Sequence, residues 1–282
     1  MTKELDYAPA AGQALAPTTL HTSSDGLDTS LQTISALGRD VPLYWARPQG
    51  GRNLPVVLVI SEAFGLHAHI ADVARRFAHE GYLAIAPDLM WRQGDPMSFS
   101  DAGSLVKNLL LKIPDQQVMA DLDACVVWAA TAGGDIDRLA AAGFCWGGRW
   151  AWLYAAHRPF RCAVSWYGIL DGRASGPFPD DPTLFPTHPV DIAESMQTPV
   201  LGLYGAEDES IGLDTVERMR SALKTGGEAA RASTIQVYEN AGHAFFADYR
   251  DSYHAPSAAD AWLRCLGWMR DHIQPAAELA KN

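Results

Sequence analysis

Several short runs in this chain are apolar at every position rather than at every second one. Val56 to Ile60 reads VVLVI, Tyr82 to Pro87 YLAIAP, Leu139 to Phe144 LAAAGF, Cys162 to Gly168 CAVSWYG and Pro199 to Gly205 PVLGLYG. A strand that is apolar on both faces must be covered on both faces, which is the condition of a parallel sheet between layers of helices. Helical spacing fills the intervals. Ile70, Val73, Ala74, Phe77 and Ala78 recur on one face and stop at Gly81; SLVKNLLLKI, QQVMADLDACVVWAA, WAWLYAAH and GLDTVERMRSALKTGG follow the later runs. STIQVYE reads as the last strand, and Ala259, Trp262, Leu263, Leu266 and Met269 mark a final helix. The alternation predicts an α/β fold with a mostly parallel central sheet and helices on both faces. The start differs: LQTISALGRDVPLYWARP alternates and turns at Gly38-Arg39-Asp40, which predicts antiparallel strands at one edge.

No linker interrupts this pattern and no repeat recurs along it. Residues 27–282 are therefore expected to form one domain, and residues 1–26, rich in Ala, Pro, Thr and Ser, a loosely packed N-terminal extension. The Pro/Gly/Asp-rich stretch Asp171 to Pro189 is predicted to be loop. A formal net charge of -11 argues against nucleic acid or an anionic membrane as the main partner. The four cysteines, Cys125, Cys145, Cys162 and Cys265, are widely spread with no CxxC pair, so reduced thiols are expected rather than disulfides or zinc. With no apolar signal segment and no 18-residue apolar run, the expected location is cytoplasmic.

One cysteine has an unusual setting. In GFCWGGRWAW, Gly143 to Trp152, an apolar strand stops at Cys145 between glycines and helical spacing restarts at once. Gly143-Phe144-Cys145-Trp146-Gly147 is G-x-C-x-G, a nucleophile elbow with Cys in place of Ser. The position is the carboxyl end of a central strand, where ligands bind in open α/β sheets. The helix start behind it favours thiolate over thiol, and the N–H of Trp146 faces where an oxyanion would form. The other three cysteines sit among apolar neighbours in helix or strand patterns and read as core.

A thiol nucleophile needs a base, and the base an orienting acid, in the chain order nucleophile, acid, His. His243 in NAGHAFF follows the last predicted strand; His254 is a weaker second choice, and His79, His157 and His188 have no special context. Asp208 in YGAEDES follows the strand before, with Glu207 as its nearest competitor. A second oxyanion donor is expected from SEAFGLHAH after the first central strand, at the N–H of Ala63 or, less favoured, Phe64. Glu62 in that loop is costly directly after a buried strand unless it has partners. His67 and His69 form an H-x-H that suits a metal pair, but no third ligand lies in context, so a solvated loop is favoured and neither metal nor cofactor is expected.

With these motifs in place, the chain resembles the dienelactone hydrolase family of α/β-hydrolases. The likeness runs from about Leu31 to Met269 and rests on VVLVISEAFGLHAHIADVARRFAHEGYLAIAPDLMWRQGD, GFCWGGR, YGAEDESI and GHAFF in the family's order. The resemblance implies a Cys145-His243-Asp208 triad and a Glu62 that contacts the cysteine until substrate displaces it and it takes the thiol proton. It also implies that Arg92 binds a substrate carboxylate; Trp91 and Phe64 are further candidate substrate-binding residues. The family's second carboxylate-binding arginine has no match, because that position is Ala247 and the nearest arginine is Arg250. Trp91, Trp146, Tyr167 and Phe178 are candidates for an apolar lining. The expected activity is hydrolysis of a small-molecule ester or lactone through a covalent acyl-enzyme. A simple carboxylesterase or thioesterase on the same triad, or a non-catalytic binding or redox-sensing relative, are the alternatives.

Overall fold

The structure is a computed structural model that describes residues 5–173 and 181–273. Strands β1 (Leu27–Ala36) and β2 (Arg39–Pro48) form a hairpin, followed by β3 (Leu54–Ile60), α1 (Ala68–His79), β4 (Leu83–Pro87), α2 (Ala102–Asn108) and α3 (Asp115–Thr131). Then come β5 (Gly134–Phe144), α4 (Trp146–His157), β6 (Cys162–Trp166), β7 (Val200–Gly205), α5 (Leu213–Thr225), the short α6 (Glu228–Arg231), β8 (Thr234–Tyr238) and α7 (Ala255–Ile273). They build one eight-stranded sheet in the order β1-β2-β4-β3-β5-β6-β7-β8. β1 runs antiparallel to β2 and β2 to β4, while every other neighbouring pair is parallel. This is the α/β-hydrolase fold, with the antiparallel strands at one edge.

The all-apolar runs are the central strands. Val56 to Ile60, Leu83 to Ala86 and Leu139 to Ala142 are fully buried, because helices cover both faces. The α1 stripe Ile70, Val73, Ala74, Phe77 and Ala78 is likewise buried. The hairpin turns one residue earlier than expected: Leu37 and Gly38 both have positive φ (53° and 70°), the pairing that matches the twist of a two-residue hairpin. SLVKNLLLKI is not one helix. Asp101 caps α2 by accepting from the Ser104 N–H at 2.8 Å, but Leu109 leaves helical geometry, and Leu110–Lys112 form a single 3-10 turn.

Residues 5–26 are packed onto the fold rather than loose. Ala8 is fully buried, the Thr22 hydroxyl donates to Asp72 at 3.0 Å, and His79 Nε2 lies 2.8 Å from the Ser23 carbonyl oxygen. Small residues made the segment look unstructured, yet Ala can lie close against a helix surface. Within the Pro-rich stretch, residues 174–180, Phe178 among them, lie outside the described residues; Phe185 beyond them is buried. Among the described residues no helix is long and apolar enough to cross a membrane.

Candidate active site

The carboxyl ends of β3, β5, β7 and β8 meet at one crevice. β5 ends at Phe144, and Cys145 turns the chain into α4 with φ 51° and ψ −112°, a conformation that strains any residue with a Cβ. The glycines explain how the turn fits. A Cβ at Gly143 would lie 2.0 Å from the Gly147 carbonyl oxygen, and one at Gly147 2.2 Å from that of Ile60. A Cβ at Gly148 would lie 2.6 Å from Gly168 Cα. Helix α4 therefore sits directly on the β3 and β6 ends only because these positions lack side chains. The Cys145 N–H is held by the Trp166 carbonyl at 2.9 Å. Cys145 is the one cysteine that is not fully covered; Cys125, Cys162 and Cys265 are buried, and burial pushes their thiols up.

His243 follows β8 and reaches the sulfur: its Nε2 lies 3.2 Å from Cys145 Sγ. Its Nδ1 lies 2.8 Å from Asp208 Oδ2. Asp208 is itself fixed, because its Oδ1 accepts the N–H groups of Ser210 (2.8 Å) and Ile211 (2.9 Å). The Asp208 and His243 loops touch through Gly205, where a Cβ would fall 2.1 Å from the Ala241 carbonyl oxygen. Burial pulls the His243 pKa down, but the charge of Cys145 and the bonds to Asp208 and Cys145 outweigh it and raise it to about 10. Glu207 is exposed, and His254 bonds Ser257 at the start of α7, away from the sulfur.

The two expected oxyanion donors flank the same turn. Trp146 opens α4, and the Ala63 loop crosses the elbow, whose Gly147 abuts the carbonyls of Ile60 and Ser61. Among the described residues neither the Ala63 nor the Trp146 N–H donates a hydrogen bond. Tyr167 also borders the crevice. It has φ 39°, its ring stands edge-on to His243 at 5.4 Å, and its buried hydroxyl has no partner among the described residues.

Glu62 is 1 % exposed, but it is not hydrogen-bonded to Cys145, as the resemblance implied. Its Oε1 accepts instead from His67 Nε2 at 3.2 Å and from the Tyr249 hydroxyl, and its Oε2 has no partner among the described residues. Burial works against the carboxylate charge, but the hydrogen bond and charge of His67, with help from His69 and Tyr249, bring its pKa down to about 2. His67 and His69 are buried and not solvated as expected. Burial also pulls His67 below its ordinary range, against the bond and charge of Glu62. His69 Nδ1 lies 3.5 Å from Asp248 Oδ1, and Asp248 in turn pairs with Arg76. Among the described residues no group of His, Cys, Asp and Glu is placed to hold a metal ion.

Arg92 makes no hydrogen bond to Cys145, His243 or Asp208. Its guanidinium binds the buried Asp121 and, at 2.8 Å, the Ala36 carbonyl. Trp91, 54 % exposed, lines an open groove with Arg92, Gly38, Arg39 and Asp40, and neither Cys145 nor His243 is among its walls. Arg92 is a positional consequence of the charge buried at Asp121 on α3, which the linear pattern does not reveal. Phe64 is buried and carries the guanidinium of Arg250 over its ring at 5.3 Å. Ala247 is fully buried. Sequence reasoning missed Tyr249 and the bonding role of His67, and it named Arg250 only as the arginine nearest Ala247; a buried Glu62 demands donors, and that demand was the available signal.

Comparison with known proteins agrees with this architecture. Residues 41–273 match the model of the dienelactone hydrolase family. A protein of Salmonella typhimurium LT2, provisionally named a carboxymethylenebutenolidase, is 50 % identical over 268 residues, 94 % of this chain and 95 % of that protein. A relative of the same provisional name from Methylorubrum extorquens is 43 % identical over 94 % of this chain and 89 % of its own. The crystal structure of a provisionally named dienelactone hydrolase from Klebsiella pneumoniae is 51 % identical, with a TM-score of 0.81 over 86 % of this chain and 98 % of that one. With the family model matched over residues 41–273 and about half of the residues shared with relatives over most of its length, this chain belongs to the dienelactone hydrolase family and is a carboxylic ester hydrolase.

Proposed function

We propose that the protein hydrolyses a small-molecule lactone or ester through a thioester on Cys145, with His243 as base and acid and Asp208 as its orienting partner. The single observation that carries this reading is the continuous chain from Sγ to Nε2 (3.2 Å) and from Nδ1 to Oδ2 (2.8 Å) at a strained turn. His243 holds the proton drawn from the Cys145 thiol as an imidazolium, and the thiolate adds to the substrate carbonyl carbon. The N–H groups of Ala63 and Trp146 receive the oxyanion, a contribution of about 3 kcal/mol per donor in comparable sites. Collapse breaks the C–O bond, and the leaving alkoxide takes its proton from the imidazolium. Water, deprotonated by His243, then adds to the thioester, and the second collapse returns the sulfur and releases the carboxylic acid. Glu62, ionised across the neutral range, sets a fixed negative charge on the loop that crosses the elbow.

Substrate selection falls to the surroundings of Phe64. Arg250 lies over that ring, and no carboxylate or carbonyl partner for its guanidinium is found among the described residues. Its charge is felt at His67, Tyr167 and Tyr249. A cation placed there suits a substrate that carries a carboxylate, in a role that Arg92 is turned away from. The relatives' names point to a dienelactone as substrate. The test is a panel of carboxylate-bearing lactones, neutral lactones and aryl esters, followed by mass spectrometry of the enzyme quenched during turnover. An acyl adduct on Cys145 is expected; turnover with an unmodified Cys145 and full activity in Cys145→Ala would overturn the mechanism.

A further inference from the structure

The hydrogen bonds of Glu62 go to His67 and Tyr249. The N-terminal arm grips these same two residues. The Ala68 N–H, directly after His67, donates to the Asp6 carbonyl at 3.1 Å, and the Leu15 N–H donates to the Tyr249 carbonyl at 3.0 Å. Between these anchors the Tyr7 ring lies against Tyr249 (centroids 5.2 Å apart) and edge-on to His67 (6.1 Å). Its hydroxyl makes no hydrogen bond to the described residues, so the contact is made by the ring. Ala8, next in the chain, is fully buried. The arm lies ahead of residue 41, where the family match begins.

We infer that the N-terminal arm, through Tyr7, is a positioning element for the Glu62 carboxylate: it holds the two donors and keeps water from them. The inference rests on the role given to Glu62 above. A buried carboxylate keeps its charge and direction only while its donors stay in place. His67 is the residue before α1 and Tyr249 lies in the loop before α7. His69 and Arg76 on α1 meet Asp248 beside Tyr249, and the arm adds a second tie at the two donors themselves. Without the Tyr7 ring, water reaches both donors and the Glu62 carboxylate loses its fixed direction. A displacement of about 1 Å at a reacting group can cost as much as a hundredfold in rate.

The test is a double-mutant cycle between Tyr7→Ala and Glu62→Gln, read as kcat/KM on a small aryl acetate and as the pH profile of Cys145 alkylation by iodoacetamide. The Tyr7→Ala change is expected to lower kcat/KM by about tenfold and to shift the alkylation profile. In the Glu62→Gln background the same change should cost less than about twofold, the limit for independent sites. The Tyr7→Phe change, which keeps the ring, should stay within about twofold of the parent. Equal losses in both backgrounds, a Tyr7→Phe loss as large as that of Tyr7→Ala, or no effect of Glu62→Gln itself would overturn the inference. Full hydrolysis by Cys145→Ala would instead overturn the cysteine mechanism, whatever the Tyr7 variants do. Should Tyr7→Ala not fold, Tyr7→Leu run through the same cycle decides, by the same criteria.

Discussion

The Nε2 of His243 lies 3.2 Å from the Sγ of Cys145, although 98 residues separate them. Each group is placed by contacts outside the pair. The sulfur is held by backbone contact between α4 and the ends of β3 and β6, and the ring by the bond to Asp208 and the meeting of two loops at Gly205. The distance is within reach of direct proton transfer between sulfur and ring.

Replacing the sulfur separates chemistry from folding. Cys145→Ala removes a half-covered side chain and relieves nothing else, so the melting temperature should change little. Hydrolysis should fall by about 10³-fold or more, since a missing nucleophile leaves only binding and the oxyanion donors. Steady-state rates on a lactone, compared with thermal unfolding of the same preparation, check both outcomes.

Asp208→Asn should act through the ring. The His243 pKa stands at about 10, well above the free value of 6.5, so its proton stabilises the fold fully below pH 6.5. That contribution is lost as pH rises through about 10. Without the Asp208 charge the loss moves to lower pH, and so does the alkaline limb of the rate profile. A fall in kcat of about 10²–10⁴-fold is expected. Denaturant titrations from pH 6 to 11, with rates measured alongside, test the sign.

What could be read from the linear sequence follows contact range. The runs VVLVI and LAAAGF announce buried strands because burial on two faces demands apolar residues at every position, and the glycines around Cys145 announce a close approach. Cys145, His243 and Asp208 could be picked out because each follows a strand end. Glu62 was recognisable as a carboxylate in need of partners, but not its partners, because Tyr249 is 187 residues away and nothing local to it says that it faces Glu62. Arg92 misled for a related reason: an arginine after β4 looks available until Asp121 on α3 is seen beneath it.

Gly147→Ala tests the backbone contact. The new methyl would stand 2.2 Å from the Ile60 carbonyl oxygen, and no flexible side chain is there to give way. The helix must retreat from β3, at a cost of about 1–3 kcal/mol. The N–H of Trp146 and the sulfur move with it, so activity should drop further than the stability loss explains at temperatures where the variant is folded. Urea midpoints and kcat on one sample show whether the two losses part company.

Glu62→Gln should change the response to acid. With a pKa of about 2 against an ordinary 4.5, the carboxylate contributes stability that is fully present above pH 4.5 and is lost as pH falls through 2. The size of that depression corresponds to roughly 3 kcal/mol. The glutamine variant lacks this dependence, so its stability should fall less steeply between pH 4.5 and 2 than that of the parent. Chemical denaturation across that window gives the two slopes, and parallel slopes would show that the Glu62 charge is not held by the fold.

The two arginines should separate structure from selection. Arg92 neutralises Asp121, a buried carboxylate on α3, so Arg92→Ala leaves a charge unpaired and should cost about 3–5 kcal/mol of stability. Its effect on KM should be small, because the side chain faces Ala36 and Asp121 rather than the sulfur. Arg250→Ala should do the reverse. It removes a stacked cation from Phe64, worth about 0.5–1 kcal/mol at most to the fold, and should raise KM for a carboxylate-bearing lactone by about tenfold or more. For a neutral aryl ester KM should not change, because nothing anionic is there to lose its partner. A KM that rises equally for both substrates would mean that Arg250 shapes the Phe64 wall without reading charge, and high salt would then leave the parent's preference between them untouched.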